Sequence, residues 1–196
     1  VLRQPLEDRT VTITRAKYSV DFPCSFMFVA SANPCPCGYY GDSTHNCICT
    51  PAQRHRYMSK ISGPLMDRVD IQCEIQPVPF SELSAASEGE KSEVIRERVI
   101  NARRIQAERY KDFKGIHCNA QMNESMIRQF AQPDADGIAM LRVAMERMSL
   151  SARAYNRILK VARTIADLSA SDDIKLEHLA EAISYRNLDR GDWAER

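Results

Sequence analysis

Four cysteines in two Cys-x-Cys pairs are the clearest chemical feature of this 196-residue sequence. Cys35 and Cys37 form the first pair, and Cys47 and Cys49 form the second after nine intervening residues. Zinc prefers thiolates in tetrahedral structural sites, and two closely spaced pairs on one loop can supply all four ligands. We therefore expect a structural zinc site that pins this loop, with four buried or free thiols as the alternative. His45, between the pairs, could replace one cysteine as a ligand.

An asparagine follows a buried strand predicted from an apolar run. Residues 26–30 form that run, which is typical of a central strand covered on both faces, and Asn33 comes directly after it. Ligands of parallel nucleotide-binding sheets lie at the carboxyl ends of strands. A carboxamide there can orient a water or contact a terminal phosphate. An Asx turn with Pro34 is the simpler alternative.

An arginine lies just before a second predicted strand. Residues 69–75 alternate between apolar and polar, which predicts a half-buried strand, and Arg68 immediately precedes them. An arginine at a sheet rim can reach the triphosphate of a neighbouring subunit and stabilise charge during phosphoryl transfer. On spacing alone, a salt bridge to Asp67, Asp70 or another carboxylate is the simpler explanation.

A third candidate lies on the most amphipathic predicted helix, residues 151–168. Helical spacing places its apolar residues in one stripe and its basic residues in another about 110° away. In the first turn, Arg153 is placed to face an anion, whereas a solvated basic face on a core-packed helix is the simpler alternative. The apolar stripe is Ala154, Ile158, Val161, Ala162, Ile165 and Leu168, and the basic stripe is Arg153, Arg157, Lys160 and Thr164.

The elements around these residues change in type along the chain. Alternation over Val11–Phe22 predicts a β-hairpin with Arg15 and Lys17 at a basic tip. Thr50 and Pro51 predict the start of a helix that runs to about Lys60. From residue 80 onward the pattern is helical, so we expect a domain boundary near there. Helices are predicted at 92–110, 123–131, 134–149, 151–168 and 175–185, with Asp134 and Ser151 as N-caps and with Val94, Ile95, Val99, Ala102 and Ile105 on one side of the first.

Composition excludes several function classes. The net charge is +1, so any basic surface must be local rather than global. No apolar run approaches the roughly 20 residues that a membrane span needs, and no signal peptide opens the chain. Seven cysteines, an odd number, favour a reducing and therefore cytoplasmic setting over disulfides. The sequence contains no Gly-x-x-x-x-Gly-Lys-Ser/Thr phosphate loop. It begins without Met and in mid-pattern, so we expect it to belong to a longer protein.

Taken together, these residues resemble the Mg-chelatase-like AAA+ ATPases, specifically their bacterial ComM/YifB branch. The motifs that carry the resemblance are spread over almost the whole chain and are specific in combination. They are Leu2–Glu7 (LRQPLE), Ser31–Gly41 (SANPCPCGYYG), Ser62–Ile71 (SGPLMDRVDI) and Leu150–Leu168 (LSARAYNRILKVARTIADL).

The resemblance implies a fold of two parts. Residues 1–79 would be the C-terminal part of an α/β AAA+ P-loop NTPase core, with a β-hairpin, the last parallel strands and a zinc-ribbon-like loop. Residues 80–196 would be an all-α helical lid domain. The same resemblance makes Asn33 the sensor-1 residue, Arg68 the arginine finger and Arg153 the sensor-2 arginine, with Asn33 and Arg153 also contacting the nucleotide.

The resemblance also implies partners and an activity. The hairpin would be the pre-sensor-1 hairpin, with Arg15 and Lys17 contacting DNA phosphates, although an ordinary basic turn is the alternative. The parent protein would be a hexameric ring that binds ATP and Mg²⁺ and remodels DNA by helicase action or branch migration during DNA uptake and recombination. Family members carry their P-loop and Walker-B acidic pair before the first residue here, so we expect this chain alone not to hydrolyse ATP.

Other readings of the sequence remain open. Missing leading strands would expose a sheet edge, and we expect association or marginal stability there. A magnesium-chelatase-type metal-insertion subunit is one alternative function. A zinc-dependent DNA-binding module without catalysis is another.

Overall fold

The computed structural model describes residues 2–42, 44–61, 63–76, 78 and 89–186. They divide into two compact units, one ending at Val69 and the next beginning at Asp70. The domain boundary predicted near residue 80 adjoins residues 79–88, which lie outside the described residues, so it stays a prediction. None of the described helices is both long enough and apolar enough to cross a bilayer.

The first unit begins with a short helix and a β-hairpin, which confirms the predicted hairpin. Arg9, at the end of the first helix, adopts a left-handed conformation (φ 56°) that turns the chain into the first strand. The strands pair antiparallel, with Thr10 opposite Pro23 and Arg15 opposite Tyr18. The elements of this unit are α1 (Arg3–Asp8), β1 (Thr10–Arg15), β2 (Tyr18–Pro23), α2 (Pro51–Met58) and α3 (Gly63–Met66).

The hairpin has one polar and one apolar face. On the polar face Thr12 donates a hydrogen bond of 2.6 Å to Asp21, and the hydroxyls of Thr14 and Ser19 lie 3.1 Å apart. The register places the apolar residues together on the opposite face. That face carries Ile13, Val20 and Phe22, all of which are exposed. The hairpin therefore buries neither face against the rest of the unit.

The two strands predicted on either side of the cysteine loop do not form, and this part of the expected fold is wrong for the structure described. Residues 26–30 and 69–75 carry no strand assignment. Apolar side chains in both segments face solvent, with Met27 87%, Val29 80% and Ile75 86% exposed. A strand exists only where a neighbour completes its backbone hydrogen bonds, and the sheet in the described residues contains β1 and β2 alone.

The second unit is helical, as predicted. Every predicted helix is present with ends within a residue or two, and Asp134 and Ser151 are confirmed as N-caps. Their side chains accept hydrogen bonds from the backbone N–H groups of Gly137 at 2.8 Å and Ala154 at 3.1 Å. The helices are α4 (Ser92–Arg109), a 3-10 turn (Asn119–Gln121), α5 (Glu124–Phe130), α6 (Ala135–Met148), α7 (Ala152–Leu168) and α8 (Leu176–Ser184).

Helix α7 lies at the centre of this unit, against α4, α5, α8 and the 3-10 turn. Its predicted apolar stripe is buried or half-buried except at Leu168, which is exposed. Gly137 allows α6 to approach α8 closely, because a Cβ atom there would lie 2.7 Å from Leu179 Cδ1. The apolar stripe predicted for α4 is buried only towards its C-terminal end: Ala102 is buried, whereas Val94 and Val99 are exposed.

A buried ionic network ties α4 to α7. Asp167 is 1% exposed and accepts two hydrogen bonds from Arg109, at 2.6 and 2.7 Å. Arg163 donates to the same carboxylate at 3.1 Å, and Asn119 donates to it at 2.8 Å. Burial alone would raise the pKa of Asp167, but the hydrogen bonds from Arg109 and Asn119 hold it below its ordinary value. The carboxylate of Asp167 therefore compensates the charge of the two arginines packed against it.

Replacing Asp167 by alanine should lower the free energy of unfolding by about 3–5 kcal/mol, because the buried guanidinium of Arg163 and the half-buried one of Arg109 would lose their carboxylate. Urea unfolding at neutral pH, followed by circular dichroism, measures the change. The control is Asp112→Ala at an exposed position on the same unit, where a change within about 0.5 kcal/mol is expected.

The difference in unfolding free energy between the wild type and Asp167→Ala should depend on pH in a defined direction. Because the pKa of Asp167 is depressed in the folded state, its contribution is present above the unfolded pKa of about 3.9 and is lost as the pH falls through the lower folded value. The stability gap between the wild type and Asp167→Ala should therefore narrow on acidification. A gap that stayed constant down to strongly acidic pH would contradict this account.

Candidate metal centre and phosphate-binding residues

The four predicted cysteine ligands converge in the first unit. The Sγ atoms of Cys35, Cys37, Cys47 and Cys49 all lie within 4.8 Å of one another. Three of the separations are 3.3 Å (Cys35 to Cys37), 3.6 Å (Cys37 to Cys47) and 3.7 Å (Cys35 to Cys47). Sulfur ligands placed tetrahedrally at about 2.3 Å from zinc lie about 3.8 Å apart. The donor set therefore fits one zinc ion.

Two glycines shape the loop that joins the pairs. Gly38 and Gly41 both adopt φ 87°, a conformation that residues with a Cβ atom rarely adopt. The Gly38 N–H donates to the carbonyl of Cys35 at 3.0 Å, which closes a tight turn around the first pair. These two glycines therefore let the chain turn between the cysteine pairs.

A carboxylate organises the far side of the same loop. Asp42 accepts hydrogen bonds from the Thr44 hydroxyl at 2.7 Å and from the backbone N–H groups of Thr44 and His45 at 2.6 and 3.1 Å. The Thr44 hydroxyl, followed by these N–H groups, lowers the pKa of Asp42. His45 stacks on Tyr39, with ring centroids 4.8 Å apart, and is not a member of the sulfur cluster.

Helix α2 supports the second cysteine pair. Thr50 caps the helix and forms a reciprocal capping box with Gln53, as the Thr-Pro signal predicted for its start. Arg54, one turn further on, donates to the carbonyl of Cys49 at 2.9 Å. Its guanidinium also lies over the Tyr40 ring, 4.3 Å from the centroid. Arg54 therefore holds the loop at two points, the Cys49 carbonyl and the Tyr40 ring. No sequence pattern predicted the pairing of Tyr40 with Arg54.

The thiols differ in acidity. A hydrogen bond from the backbone of Tyr39 lowers the pKa of Cys37 to about 6, so this sulfur is mostly thiolate at neutral pH. Desolvation raises the pKa of Cys49 to about 12, and it also raises that of Cys47. Metal ligation requires thiolates. Binding of zinc therefore has to displace protons from Cys47 and Cys49, which makes affinity fall as the pH falls.

Asn33, predicted to face a phosphate, is exposed and lies just before the cysteine loop. Its carboxamide makes no hydrogen bond to any residue that the structure describes, so the alternative of an Asx turn with Pro34 is not formed. The amide nitrogen lies over Gly38, where an added Cβ atom would be 4.0 Å away. Its donor and acceptor are both open to solvent.

Arg68 is held by a carboxylate. Its Nε donates to Glu7 at 2.8 Å, its Nη2 pairs with the same carboxylate, and its Nη1 donates to the carbonyl of Pro64 at 2.6 Å. The side chain is 12% exposed. The sequence offered Asp67 and Asp70 as neighbouring partners, but the chosen partner is 61 residues away. The signal that could have found it is the Leu2–Glu7 motif, which contains Glu7.

Arg153 lies in the second unit, exposed in the first turn of α7. The other members of the predicted basic stripe make contacts that the structure identifies. Arg157 pairs with Asp70, and Lys160 donates to the carbonyl of Ala120 at 3.2 Å. Thr164 bonds to the Lys160 carbonyl at 2.8 Å. Arg157, Lys160 and Thr164 therefore stabilise the second unit. Arg153 belongs to this unit, whereas Asn33 and Arg68 belong to the first.

The hairpin tip carries the two predicted DNA contacts. Arg15 ends β1 and Lys17 lies in the following turn. Both are exposed, and neither forms an ion pair within the part of the chain that the structure describes. The tip is thus open to a ligand with negative charge.

Comparison with known families matches nearly all of the chain. Residues 1–83 match the family described as magnesium chelatase, subunit ChlI. Residues 89–186 match the family described as magnesium chelatase, subunit ChlI C-terminal. The change from one to the other falls between residues 83 and 89, close to the predicted boundary.

Individual relatives agree with the family matches. The chain is 40% identical over 190 residues to the uncharacterized protein YifB of Escherichia coli and, at the same identity, to the competence protein ComM of Haemophilus influenzae. It is 36% identical over 185 residues to the uncharacterized protein Rv2897c of Mycobacterium tuberculosis. These alignments cover 94–96% of the chain, whereas the chain spans 36% of the length of each relative.

The cysteine cluster predicts that the purified chain holds one zinc ion and that Cys37→Ser releases it, because three soft ligands hold zinc less tightly than four. Elemental analysis after desalting measures the metal per chain. Cys73→Ser is the control, since Cys73 is an exposed thiol outside the cluster. Zinc affinity should also weaken as the pH is lowered. A zinc content near zero in the wild type, or equal zinc retention by both variants, would refute the predicted zinc site.

Proposed function

Because the chain belongs to the magnesium-chelatase-like family that includes ComM and YifB, we propose that it is the C-terminal part of an AAA+ ATPase core with its helical lid. The full protein binds ATP and Mg²⁺ and uses hydrolysis to remodel DNA as a hexameric ring. Haemophilus ComM is named a competence protein, which supports a role in DNA uptake and recombination.

Arg68 carries this proposal. A guanidinium group presents a planar fork of donors that fits a carboxylate and a phosphate equally well. Glu7 occupies that fork here, with Pro64 supporting it from the side. In the assembled ring, a phosphate of the nucleotide on a neighbouring subunit takes the place of the Glu7 carboxylate. Arg68 then stabilises the charge that develops during phosphoryl transfer.

Two further residues contact the nucleotide in this proposal. Asn33 acts as sensor 1, with its open carboxamide orienting the attacking water or contacting the terminal phosphate. Arg153, in the first turn of α7, acts as sensor 2 from the lid. Because Arg153 lies on the central helix of the second unit, its contact with a phosphate would influence the orientation of α7.

This chain alone is proposed not to hydrolyse ATP. Its sequence contains no Gly-x-x-x-x-Gly-Lys-Ser/Thr loop to cradle the phosphates. Hydrolysis in the full protein also needs an acidic residue to hold Mg²⁺, which this proposal places outside the chain. The zinc site is structural, since four protein ligands leave no open position for a substrate.

Two other functions have specific support. The name of the matching family, magnesium chelatase, favours a metal-insertion ATPase subunit. The sulfur cluster favours a zinc-dependent DNA-binding module without catalysis. ATP hydrolysis by the full protein that is stimulated by DNA would support the proposed motor over both alternatives.

Arg68→Ala in the full-length protein should lower kcat for ATP hydrolysis by about 10³- to 10⁵-fold, the range over which an arginine finger acts. Two controls separate this role from the salt bridge. Glu7→Gln weakens the pair but spares the arginine, so it should leave kcat within a few-fold. Arg98→Ala removes an exposed arginine paired with Glu90 and should have no effect. Full activity in Arg68→Ala would refute the finger assignment.

Arg15→Gln/Lys17→Gln should weaken binding of single-stranded DNA and reduce its salt dependence. Removing two phosphate contacts lowers the slope of log K against log salt by about 1.4, since each contributes about 0.7. Fluorescence anisotropy over a salt series measures the slope. Arg142→Gln/Arg147→Gln makes the same charge change at exposed positions of α6 and should leave it unchanged. Equal slopes for both variants would count against the hairpin contact.

A further inference from the structure

A groove of about 510 Å³ separates the cysteine loop from one face of α2. Cys37 and Cys49 contribute to its loop side, next to the exposed Ile48. The helix side is a single stripe, because its residues recur at spacings of three, four and seven. These residues are Gln53, Arg56, Tyr57 and Lys60.

The charge on this groove is unusually one-sided for a chain with net charge +1. Arg56 and Lys60 are exposed, and neither forms an ion pair with any residue that the structure describes. Residues 43–66 contain no Asp or Glu at all. The preceding carboxylate, Asp42, is already occupied by Thr44 and His45. Helix α4, in contrast, mixes both signs along its length, and its Arg98 pairs with Glu90.

Apolar surface accompanies the two cations. Ile48 is 85% exposed, and Tyr57 is half-buried on the same lining as Arg56. A groove that combines unpaired cations with an aromatic or apolar platform suits single-stranded nucleic acid, whose phosphates and base faces are both accessible. An acidic peptide would use the cations but would leave this apolar platform in water.

We propose that this groove binds the backbone of single-stranded nucleic acid, with Arg56 and Lys60 contacting phosphates and Tyr57 and Ile48 packing against bases. The site is separate from the hairpin tip. It rests on the proposed function only in sharing DNA as the ligand, and it requires neither ATP hydrolysis nor a ring. Because the cysteine loop forms one side of the groove, a metal held by Cys35, Cys37, Cys47 and Cys49 would keep that side in place.

The competing explanation is that these cations offset the negative charge of four metal-bound thiolates. Arg54 is already placed for that role, since it donates to the Cys49 carbonyl at 2.9 Å. Arg56 and Lys60 make no such hydrogen bond to the loop among the described residues. Removing them should therefore affect the ligand and not the metal.

The test is anisotropy titration of fluorescein-labelled oligothymidine with the zinc-loaded 196-residue chain over a salt series. Arg56→Gln/Lys60→Gln should lower the slope of log K against log salt by about 1.4 and weaken binding about 25-fold at 0.1 M salt, on the contribution of about 0.7 per phosphate. The control Arg142→Gln/Arg147→Gln should match the wild type. Zinc content and the circular dichroism spectrum should be unchanged in both variants.

Three outcomes would overturn the proposal. They are a wild-type chain that does not bind oligothymidine at low salt, a groove variant that behaves like the control, and a groove variant that loses zinc but regains full binding when zinc is restored. The hairpin variant separates this inference from the proposed function. If the groove variant loses binding and Arg15→Gln/Lys17→Gln binds fully, the groove proposal is supported and the hairpin assignment is refuted.

Discussion

The first unit depends on the convergence of four sulfur atoms, because it has almost no apolar core to hold it. Among the described residues up to Val69, the buried apolar side chains are Pro5, Cys35 and Met58. The hairpin and the segment after it leave Phe22, Met27 and Val29 exposed. Burial of apolar surface cannot therefore account for the order of this unit. A metal ion bound by thiolates couples its binding free energy to folding and can replace the missing core.

The second unit is stabilised in the opposite way. Its helices bury a continuous apolar cluster around α7, and the buried carboxylate of Asp167 is surrounded by Arg109, Arg163 and Asn119. A buried carboxylate with complete hydrogen bonding fixes which helices meet and in which register. The proposed role of Arg153 as a lid residue that contacts nucleotide would depend on this rigidity, since a soft helix would absorb the movement.

Four of the candidate phosphate ligands differ in whether a protein group already occupies the position that an anion would take. Arg68 is occupied by Glu7, whereas Asn33, Arg15 and Lys17 face water. A guanidinium that exchanges a carboxylate for a phosphate keeps its charge compensated in both states. This arrangement is compatible with the arginine-finger role proposed for Arg68. The exposed apolar face of the hairpin and the unpaired segment at residues 26–30 are likewise suited to further packing.

The sequence alone determined the local features. Helix positions, the caps Thr50, Asp134 and Ser151, the hairpin and the clustering of the four cysteines were all predictable, because each depends on residues near one another in the sequence. Tertiary structure alone decided which distant groups meet. Glu7 reaches Arg68 across 61 residues, and Arg109 reaches Asp167 across 58, pairings for which no spacing rule exists. The strands predicted at 26–30 and 69–75 failed for the same physical reason, since an apolar run becomes a strand only beside another strand.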